Sequence, residues 1–281
     1  MHGLQKRVLS ASLWLTILLV LASCGPSGPK PGTPAFSWQE ARKNSTARDY
    51  VKTAENLTDI VRSENEFTAR AQTWKVLLSA GMAEADIALA EAYQAGGKAA
   101  GTDMPLAARR KMMDYRTQGG RKALEFAQAF LDWEKVNKDE NITLDFPFPV
   151  ATGADVPELT RIANGAIIAD AAMPAVEAKV MEQAVAKVVA AAVGATGDLP
   201  KAQALFQAGA VQAPRGTFLL AMANSLYDMA KLYSRGVLDN TQRLELLANK
   251  ALELLKPMKE TDETKDLALK IKLLLQQSSN R

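Results

Sequence analysis

Residues 216–257 read GTFLLAMANSLYDMAKLYSRGVLDNTQRLELLANKALELLKP and contain two apolar stripes with helical spacing. The first stripe consists of Phe218, Met222, Leu226, Met229 and Tyr233, and the second of Leu244, Leu247, Ala248, Ala251 and Leu254. Apolar residues that recur every three or four positions lie on one side of an α-helix. The sequence Asp239-Asn240-Thr241-Gln242 between the stripes is typical of a helix start. The stretch therefore predicts two antiparallel helices with a short connection.

Helical patterns extend in both directions from this stretch. Downstream, Thr261 followed by two acidic residues predicts the start of a last helix. Upstream, a capping-box sequence at Ser63-Glu64-Asn65-Glu66 predicts a helix start, and Gly81 predicts the end of that helix. We expect another helix over residues 83–95 that stops at Gly96-Gly97. A longer helical region follows over 105–136, which the pair Gly119-Gly120 kinks or divides.

The helical pattern is interrupted over residues 137–157. The sequence Phe146-Pro147-Phe148-Pro149 predicts extended chain there, as a short strand or a polyproline-like segment, because proline excludes the α region for the preceding residue. This extended loop divides a predicted helical domain, residues 38–281, into two lobes, 38–136 and 158–281. Long connections within helical domains are uncommon and often functional. Phe146 and Phe148 are thus candidate contacts for a partner, and the alternative is that they fill the core.

These patterns predict an all-α fold, a multi-helix array of antiparallel helical hairpins. Residues 226–257 resemble a tetratricopeptide repeat, through Leu226, Tyr227 and Tyr233 in a first helix and Ala248, Ala251 and the closing Pro257 in a second. The resemblance implies a solenoid of stacked helix pairs. The turn around residues 236–240 is longer than that family's, and no strict repeat register connects the two halves of the chain. An irregular helical bundle remains the alternative.

The N-terminus has the features of an export signal. Lys6-Arg7 precedes an apolar run over residues 8–22 that is too short to span a bilayer, and the run ends in Leu21-Ala22-Ser23-Cys24. These last four residues resemble the lipobox of bacterial lipoproteins. The resemblance implies that residues 1–23 are removed as a signal peptide and that Cys24 is lipidated and anchors the protein in a membrane. An ordinary secretory signal is the alternative.

The residues after Cys24 predict a tether. Residues 24–37 begin with a stretch rich in proline and glycine that cannot form a core or a regular helix. At about 3.1 Å per residue, ten such residues reach on the order of 30 Å. By analogy with enteric lipoproteins, Gly25 in place of an aspartate after the cysteine points to the outer membrane, facing the periplasm.

Cleavage before Cys24 also limits the chemistry. It removes the chain's only histidine, His2, and lipidation occupies its only cysteine. Ser-His-Asp and Cys-His catalysis, and the usual zinc, copper and iron sites, are then excluded. Loss of Lys6 and Arg7 lowers the formal net charge from +3 to about +1, so charge gives no support for binding nucleic acid. We expect no metal site, no cofactor and no catalytic residue.

A basic cluster marks the 105–136 region. Its candidate patch residues are Arg109, Arg110, Arg116, Arg121 and Lys122, with Lys111 between them. Such a cluster can face anionic lipid or a cell-wall polymer, or it can be a solvated helix face.

Three functions are compatible with these features. The first is a lipid-anchored scaffold or adaptor of the cell envelope that binds another envelope protein. The second is a binding module for a small apolar ligand, with a cavity lined by the Ala/Val/Met-rich residues 166–193. The third is a glycan-active enzyme that uses a glutamate. The chain lacks the Glu-Ser pair of lysozyme-like transglycosylases, so the sequence favours binding over catalysis.

The anchor is tested by Cys24→Ala. Without a thiol to receive the acyl chains, we expect the variant to leave the membrane fraction or to remain unprocessed. Fractionation followed by mass spectrometry of the N-terminus measures both outcomes. A Ser23→Thr variant, which keeps the thiol, serves as the control. Mature Cys24→Ala protein that stays fully membrane-bound would refute the lipid assignment.

Overall fold

The computed structural model describes residues 28–99, 104–149 and 156–279. The predicted signal peptide and Cys24 lie outside these residues. The described chain folds into ten α-helices and one two-stranded sheet, which confirms the predicted all-α, multi-helix class.

The helices and strands follow one another with short connections. The elements are α1 (Pro34–Thr46), α2 (Tyr50–Ile60), α3 (Thr68–Ala99), α4 (Leu106–Val136), β1 (Asn141–Leu144), α5 (Pro157–Ala163), α6 (Met173–Ala192), α7 (Leu199–Gln207), β2 (Val211–Pro214), α8 (Arg215–Lys231), α9 (Thr241–Leu255) and α10 (Asp262–Ser279). A single 3₁₀ turn, Asp170–Ala172, precedes α6.

Helix α3 lies at the centre of the fold. It contacts α2, α4, α5, α6, α8 and β1. Its buried residues include Trp74, Leu77 and Leu89, and they are distributed around the whole helix. A helix that is apolar all round is stable only when neighbours cover every side. The other elements are therefore arranged around α3.

Glycine lets a neighbour approach α3 closely. A Cβ atom added at Gly81 would lie 2.6 Å from both Cα and Cγ2 of Val185 on α6. The predicted helix end at Gly81 is wrong, because α3 continues through it and through Gly96-Gly97. These glycines make room for packing, and they do not terminate a helix.

The pair Gly119-Gly120 has the same role in α4, which is one continuous helix of 31 residues, so the predicted division is wrong. A Cβ atom at Gly120 would lie 2.7 Å from Leu238 Cδ1. The bare backbone also lets the Tyr233 hydroxyl donate a 2.5 Å hydrogen bond to the Gly120 carbonyl oxygen. This contact joins α4 to the end of α8.

The predicted extended segment after α4 contains a strand. β1 pairs antiparallel with β2, and Ile142 lies opposite Ala213. Both of these residues are buried, so the pair covers one end of the helical core. No sequence pattern predicts β2, because four residues are too few to show a clear alternation.

Two groups of buried apolar side chains make up the interior. The larger runs from Trp38 on α1 to Ile271 on α10, and the smaller surrounds Tyr93 and Tyr115 where α3, α4, α5 and α6 meet. Both groups contain residues from each side of the 137–157 connection. The two predicted lobes thus share their apolar interior.

Helices α1, α9 and α10 each begin directly after a residue whose side chain caps the first turn. Asn240 accepts from the Arg243 amide at 3.1 Å, as its position before α9 predicts. Thr261 accepts from the Thr264 amide at 3.2 Å at the start of α10. At the N-terminus, Thr33 caps α1 and Pro34 occupies its first turn. The folded part therefore begins four residues before the predicted boundary at residue 38, and it includes the buried Trp38.

The packing is that of an irregular bundle. In a solenoid each repeat contacts only its neighbours in the sequence. Here α3 contacts α8, and β1 pairs with the distant β2. The C-terminal helices α8, α9 and α10 do pack in sequence order, and this is where the chain resembles a helical repeat.

Gly81→Ala tests the central packing. The added methyl group meets the backbone of α6. We expect overpacking to cost about 1–3 kcal/mol, more than the ~1 kcal/mol gained from helix propensity. Gly216→Ala on α8 is the matched control, since a Cβ atom there meets nothing within 4 Å. Urea unfolding should show a lower midpoint for Gly81→Ala and an equal or higher one for Gly216→Ala. A Gly81→Ala protein as stable as the wild type contradicts the close approach.

Candidate functional site

A pocket of about 450 Å³ that contains several charged side chains lies between α3 and α8, and we call it the α3–α8 pocket. Helix α3 supplies residues one helical turn apart, so their side chains share one face. Helix α8 and the segment after it supply the opposite wall, and α4 contributes one arginine. The lining residues are Glu84, Ile87, Ala88, Ala90, Glu91, Gln94, Arg116, Asp228, Lys231, Leu232, Ser234 and Val237.

Glu84 lies at one end of this pocket with its carboxyl group largely withdrawn from water. Ser225 donates a 2.6 Å hydrogen bond to Glu84 Oε1. Burial, with a smaller contribution from nearby Asp228, raises the pKa of Glu84 to about 7, against the opposing effects of the Ser225 hydrogen bond and of Lys187. Near neutral pH this carboxyl group is therefore a mixture of acid and carboxylate. A raised pKa is what a general acid requires, so the glycan-active alternative stays a prediction.

Arg116 lies at the other end and is 6% exposed. Its Nη2 donates to Gln94 Oε1 at 2.9 Å, and Nη1 contacts Met113 Sδ at 3.9 Å. Among the described residues it has no carboxylate partner. Burial lowers the pKa of the guanidinium, with no neighbouring carboxylate to oppose the shift. A buried guanidinium that is paired only with neutral acceptors retains unused donors that line the pocket.

The acidic wall of the pocket is partly neutralised. Lys231 Nζ lies 2.6 Å from Asp228 Oδ1. Glu91 is exposed and forms no ion pair within the part of the chain that the structure describes. The pocket thus has one carboxylate without a direct ion pair, although Lys231 lies near it, one guanidinium without a carboxylate partner and one carboxyl group that titrates near neutrality.

A second depression, of about 850 Å³, runs between α2, α3 and α4, and we call it the α2–α4 groove. Its floor is formed by Ala54, Ser79, Met82, Leu124 and Ala129. Charged residues of both signs follow its two rims. On α2 and the turn that follows it these are Glu55, Asp59 and Arg62, and on α4 they are Arg121, Glu125 and Asp132.

A buried ion pair lies under one end of the groove. Lys122 Nζ on α4 lies 2.9 Å from Asp86 Oδ2 on α3, and both side chains are largely buried. Burial raises the pKa of Asp86, although Lys122 opposes the shift. The pair fixes α4 against α3, because separating two buried opposite charges is costly.

The structure does not bring the predicted basic patch together. Arg116 is buried in the α3–α8 pocket, and Lys122 is paired with Asp86. Arg121 is exposed and pairs with Glu125 at 3.6 Å. Only Arg109 and Arg110 remain as neighbouring exposed cations, near Lys111, which is paired with Asp170. Helical geometry disperses the five residues over several faces.

Phe146 and Phe148 are core residues, which is the second of the two roles that the sequence left open for them. They are 2% and 7% exposed. Phe146 stacks on Trp74 at 4.7 Å between ring centroids, and Phe148 packs against Phe206 at 5.4 Å. Asp145 anchors the segment by accepting from Arg70 and from the Trp74 indole. Burial of two aromatic rings stabilises the folded state by more free energy than the ordering of this loop costs.

The Ala/Val/Met-rich segment serves packing. Val180, Val185 and Val189 on α6 are at most 1% exposed and belong to the two apolar groups. Ile167 is 61% exposed beside a depression of about 390 Å³ that also contains Arg110 and Asp114. This depression is partly polar, whereas the expected ligand cavity was closed and apolar.

Two further observations concern the described residues as a whole. They contain no group of three or more His, Cys, Asp or Glu side chains placed to hold a metal ion. None of their helices combines the length and apolar character that crossing a bilayer requires. Comparisons with protein-family models, with curated proteins and with solved structures find no match for this chain.

Sequence reasoning missed the two depressions for a common reason. Glu84, Glu91 and Gln94 look like the solvated face of a helix until α8 covers part of it. The apolar residues of α2 and α4 that line the groove follow ordinary core spacing. Only the predicted removal of His2 and the predicted lipidation of Cys24, which direct attention to carboxylates, point toward Glu84.

The pKa of Glu84 predicts a pH dependence of stability. Its pKa in the folded protein, about 7, lies above its ordinary value of 4.5. The folded state therefore binds this proton more tightly, and stability falls as the pH rises from 4.5 to 7, by at most about 1.4 kcal/mol per pH unit. In Glu84→Gln this decline should disappear. Urea midpoints from pH 4.5 to 8 measure it, and Glu64→Gln, at an exposed site, should keep the wild-type slope. An unchanged slope in Glu84→Gln contradicts the raised pKa.

Proposed function

We propose that this protein is a lipid-anchored adaptor of the cell envelope, held in the outer membrane and facing the periplasm, that binds an amphipathic helix of an envelope protein. The observation that carries the proposal is the α2–α4 groove, an open apolar trough between three helices. An open concave surface suits a protein partner, whereas a closed cavity suits a small ligand.

The dimensions of the groove favour a helix as the occupant. Its rim residues on α4 extend from Arg121 to Asp132, and those on α2 and the turn that follows it extend from Val51 to Arg62. Eleven steps at 1.5 Å give a trough about 16 Å long, which is three helical turns. A helix with apolar residues at i, i+4 and i+7 spans this length.

The surface chemistry of the groove supports the same occupant. Met82 and Leu124 on its floor are only half-buried, and Val51 at its edge is 51% exposed. An apolar floor provides affinity, and charged rims provide orientation. Asp59 with Arg62, and Glu125 with Arg121, form ion pairs within single helices, so the rims present both signs to a partner.

The position of the groove is compatible with the anchor. Helix α1 follows the tether and packs on α2, which forms one side of the groove. A tether of about ten residues then holds the groove within roughly 30 Å of the membrane surface. The partner is therefore a membrane protein or a protein close to the membrane.

The experiment is photo-crosslinking in native membranes, with a photoreactive residue at the exposed position 128. We expect one protein to be captured repeatedly, and mass spectrometry should place the crosslink in an amphipathic helix of that protein. Leu124→Glu puts a charge on the groove floor and should lower the yield about tenfold or more. The matched control is Leu246→Glu, since Leu246 is 58% exposed on α9 and lies outside the groove. Thermal unfolding checks that both variants are folded.

Two results would overturn the proposal. One is equal crosslinking by the wild type and by folded Leu124→Glu protein. The other is a captured segment that is extended or purely polar, because such a segment does not need an apolar trough.

A further inference from the structure

The buried guanidinium of Arg116 is the most unusual charge in the described structure. An ionised group in the interior is normally paired with an opposite charge, because leaving water costs several kcal/mol. The other buried charges follow this rule, as Asp86 with Lys122 and Glu182 with Arg48 illustrate. Arg116 has only the Gln94 amide and the Met113 sulfur. A missing anion at this position would complete its coordination.

The acidic side chains of the same pocket have the complementary need. Glu91 lies on α3 one helical turn from Gln94, the residue that Arg116 contacts. Glu91 forms no ion pair among the described residues, although Lys231 is a nearby cation, and Asp228 lies across the pocket on α8. When Glu84 carries its proton, two carboxylates face two cations, Arg116 and Lys231, and the pocket is neutral. A ligand that carries one positive and one negative charge can pair with both Arg116 and Glu91, and because it has no net charge it keeps the pocket neutral.

We propose that the α3–α8 pocket binds a small zwitterion of the amino acid or short-peptide class, whose carboxylate is held by Arg116 and whose ammonium group is held by Glu91. Arg116 offers a planar fork of donors that matches a carboxylate. Gln94, bonded to Arg116, fixes the orientation of that fork. Ile87, Ala88 and Val237 provide an apolar lining for the part of the ligand between its charges.

The size of the pocket agrees with this class. A volume of about 450 Å³ accepts a ligand of up to a few residues. An extended tripeptide spans about 10 Å. The α3 residues that line the pocket run from Glu84 to Gln94, which is about 15 Å along the helix axis. A single amino acid, a dipeptide and a tripeptide all fit within this length.

The binding test uses alanine, dialanine and trialanine with the full-length protein in isothermal titration calorimetry. N-acetyl-trialanine lacks the ammonium group, and trialanine amide lacks the carboxylate. We expect at least one of the three zwitterions to bind. Blocking either end of trialanine should weaken binding about tenfold or more, since each removes a charge-assisted hydrogen bond. Absence of binding by all three zwitterions at 10 mM, or equal binding of the blocked forms, overturns the proposal.

Two variants test separately the contact of the ammonium group with Glu91 and the contact of the carboxylate with Arg116. Glu91→Gln, at an exposed site, should weaken zwitterion binding about fivefold or more and leave N-acetyl-trialanine unaffected. Arg116→Met should abolish the preference for a free carboxylate. It should also leave the unliganded protein at least as stable as the wild type, because it replaces an unpaired buried charge by an apolar side chain of similar length.

That second readout separates a binding role from a structural one. If Arg116 served only the fold, Arg116→Met would lower the unfolding midpoint, and zwitterions would bind the variant and the wild type alike. Arg109→Met, at an exposed position on the same helix, is the matched control and should change neither quantity. The adaptor role of the α2–α4 groove is independent of these outcomes, because the pocket lies on a different side of α3.

Discussion

The close approach of helices to α3 is the constraint on which the rest of the structure depends. Gly81 brings the backbone of α6 so near that no side chain fits between them. Gly96 performs the same function toward the end of α5, and Gly119 toward α3 from α4. Once α3 is enclosed in this way, its polar positions lie at the seams between neighbours. The α2–α4 groove and the α3–α8 pocket are two such seams, on different faces of one helix.

The buried charges of this protein are of two kinds, those with an ionic partner and those without one. Asp86 with Lys122 and Glu182 with Arg48 each satisfy one charge with another, and they hold two elements together. Such pairs give little net stability but penalise other arrangements of the helices. Arg116 and Glu84 lack ionic partners of this kind and line the same pocket. Groups that the fold leaves unsatisfied at a cavity are those that a ligand can satisfy.

The charged groups that the sequence leaves available are the groups that line the two depressions of the fold. If export removes His2 and the anchor uses Cys24, as the sequence predicts, the mature chain is left with carboxylates, amines and guanidinium groups as its reactive and binding groups. These groups can recognise the charge and shape of a binding partner by themselves. In the described residues they are concentrated around two depressions of different character, a long one with an apolar floor and a compact one that contains several charged side chains. Recognition is the property that these two surfaces share.

The sequence by itself determined what is local. Apolar periodicity and caps predicted α8, α9 and α10, because a helix and its first turn depend on residues three or four positions apart. The tertiary structure decided everything that depends on distant neighbours. A glycine ends a helix or admits another helix according to what packs on it, as Gly81 shows. Phe146 and Arg116 are exposed or buried according to what covers them, and the spacing of neighbouring residues does not contain that information. The pocket exists because α8 returns to α3, more than 100 residues later in the chain, and places its charges opposite an already buried guanidinium.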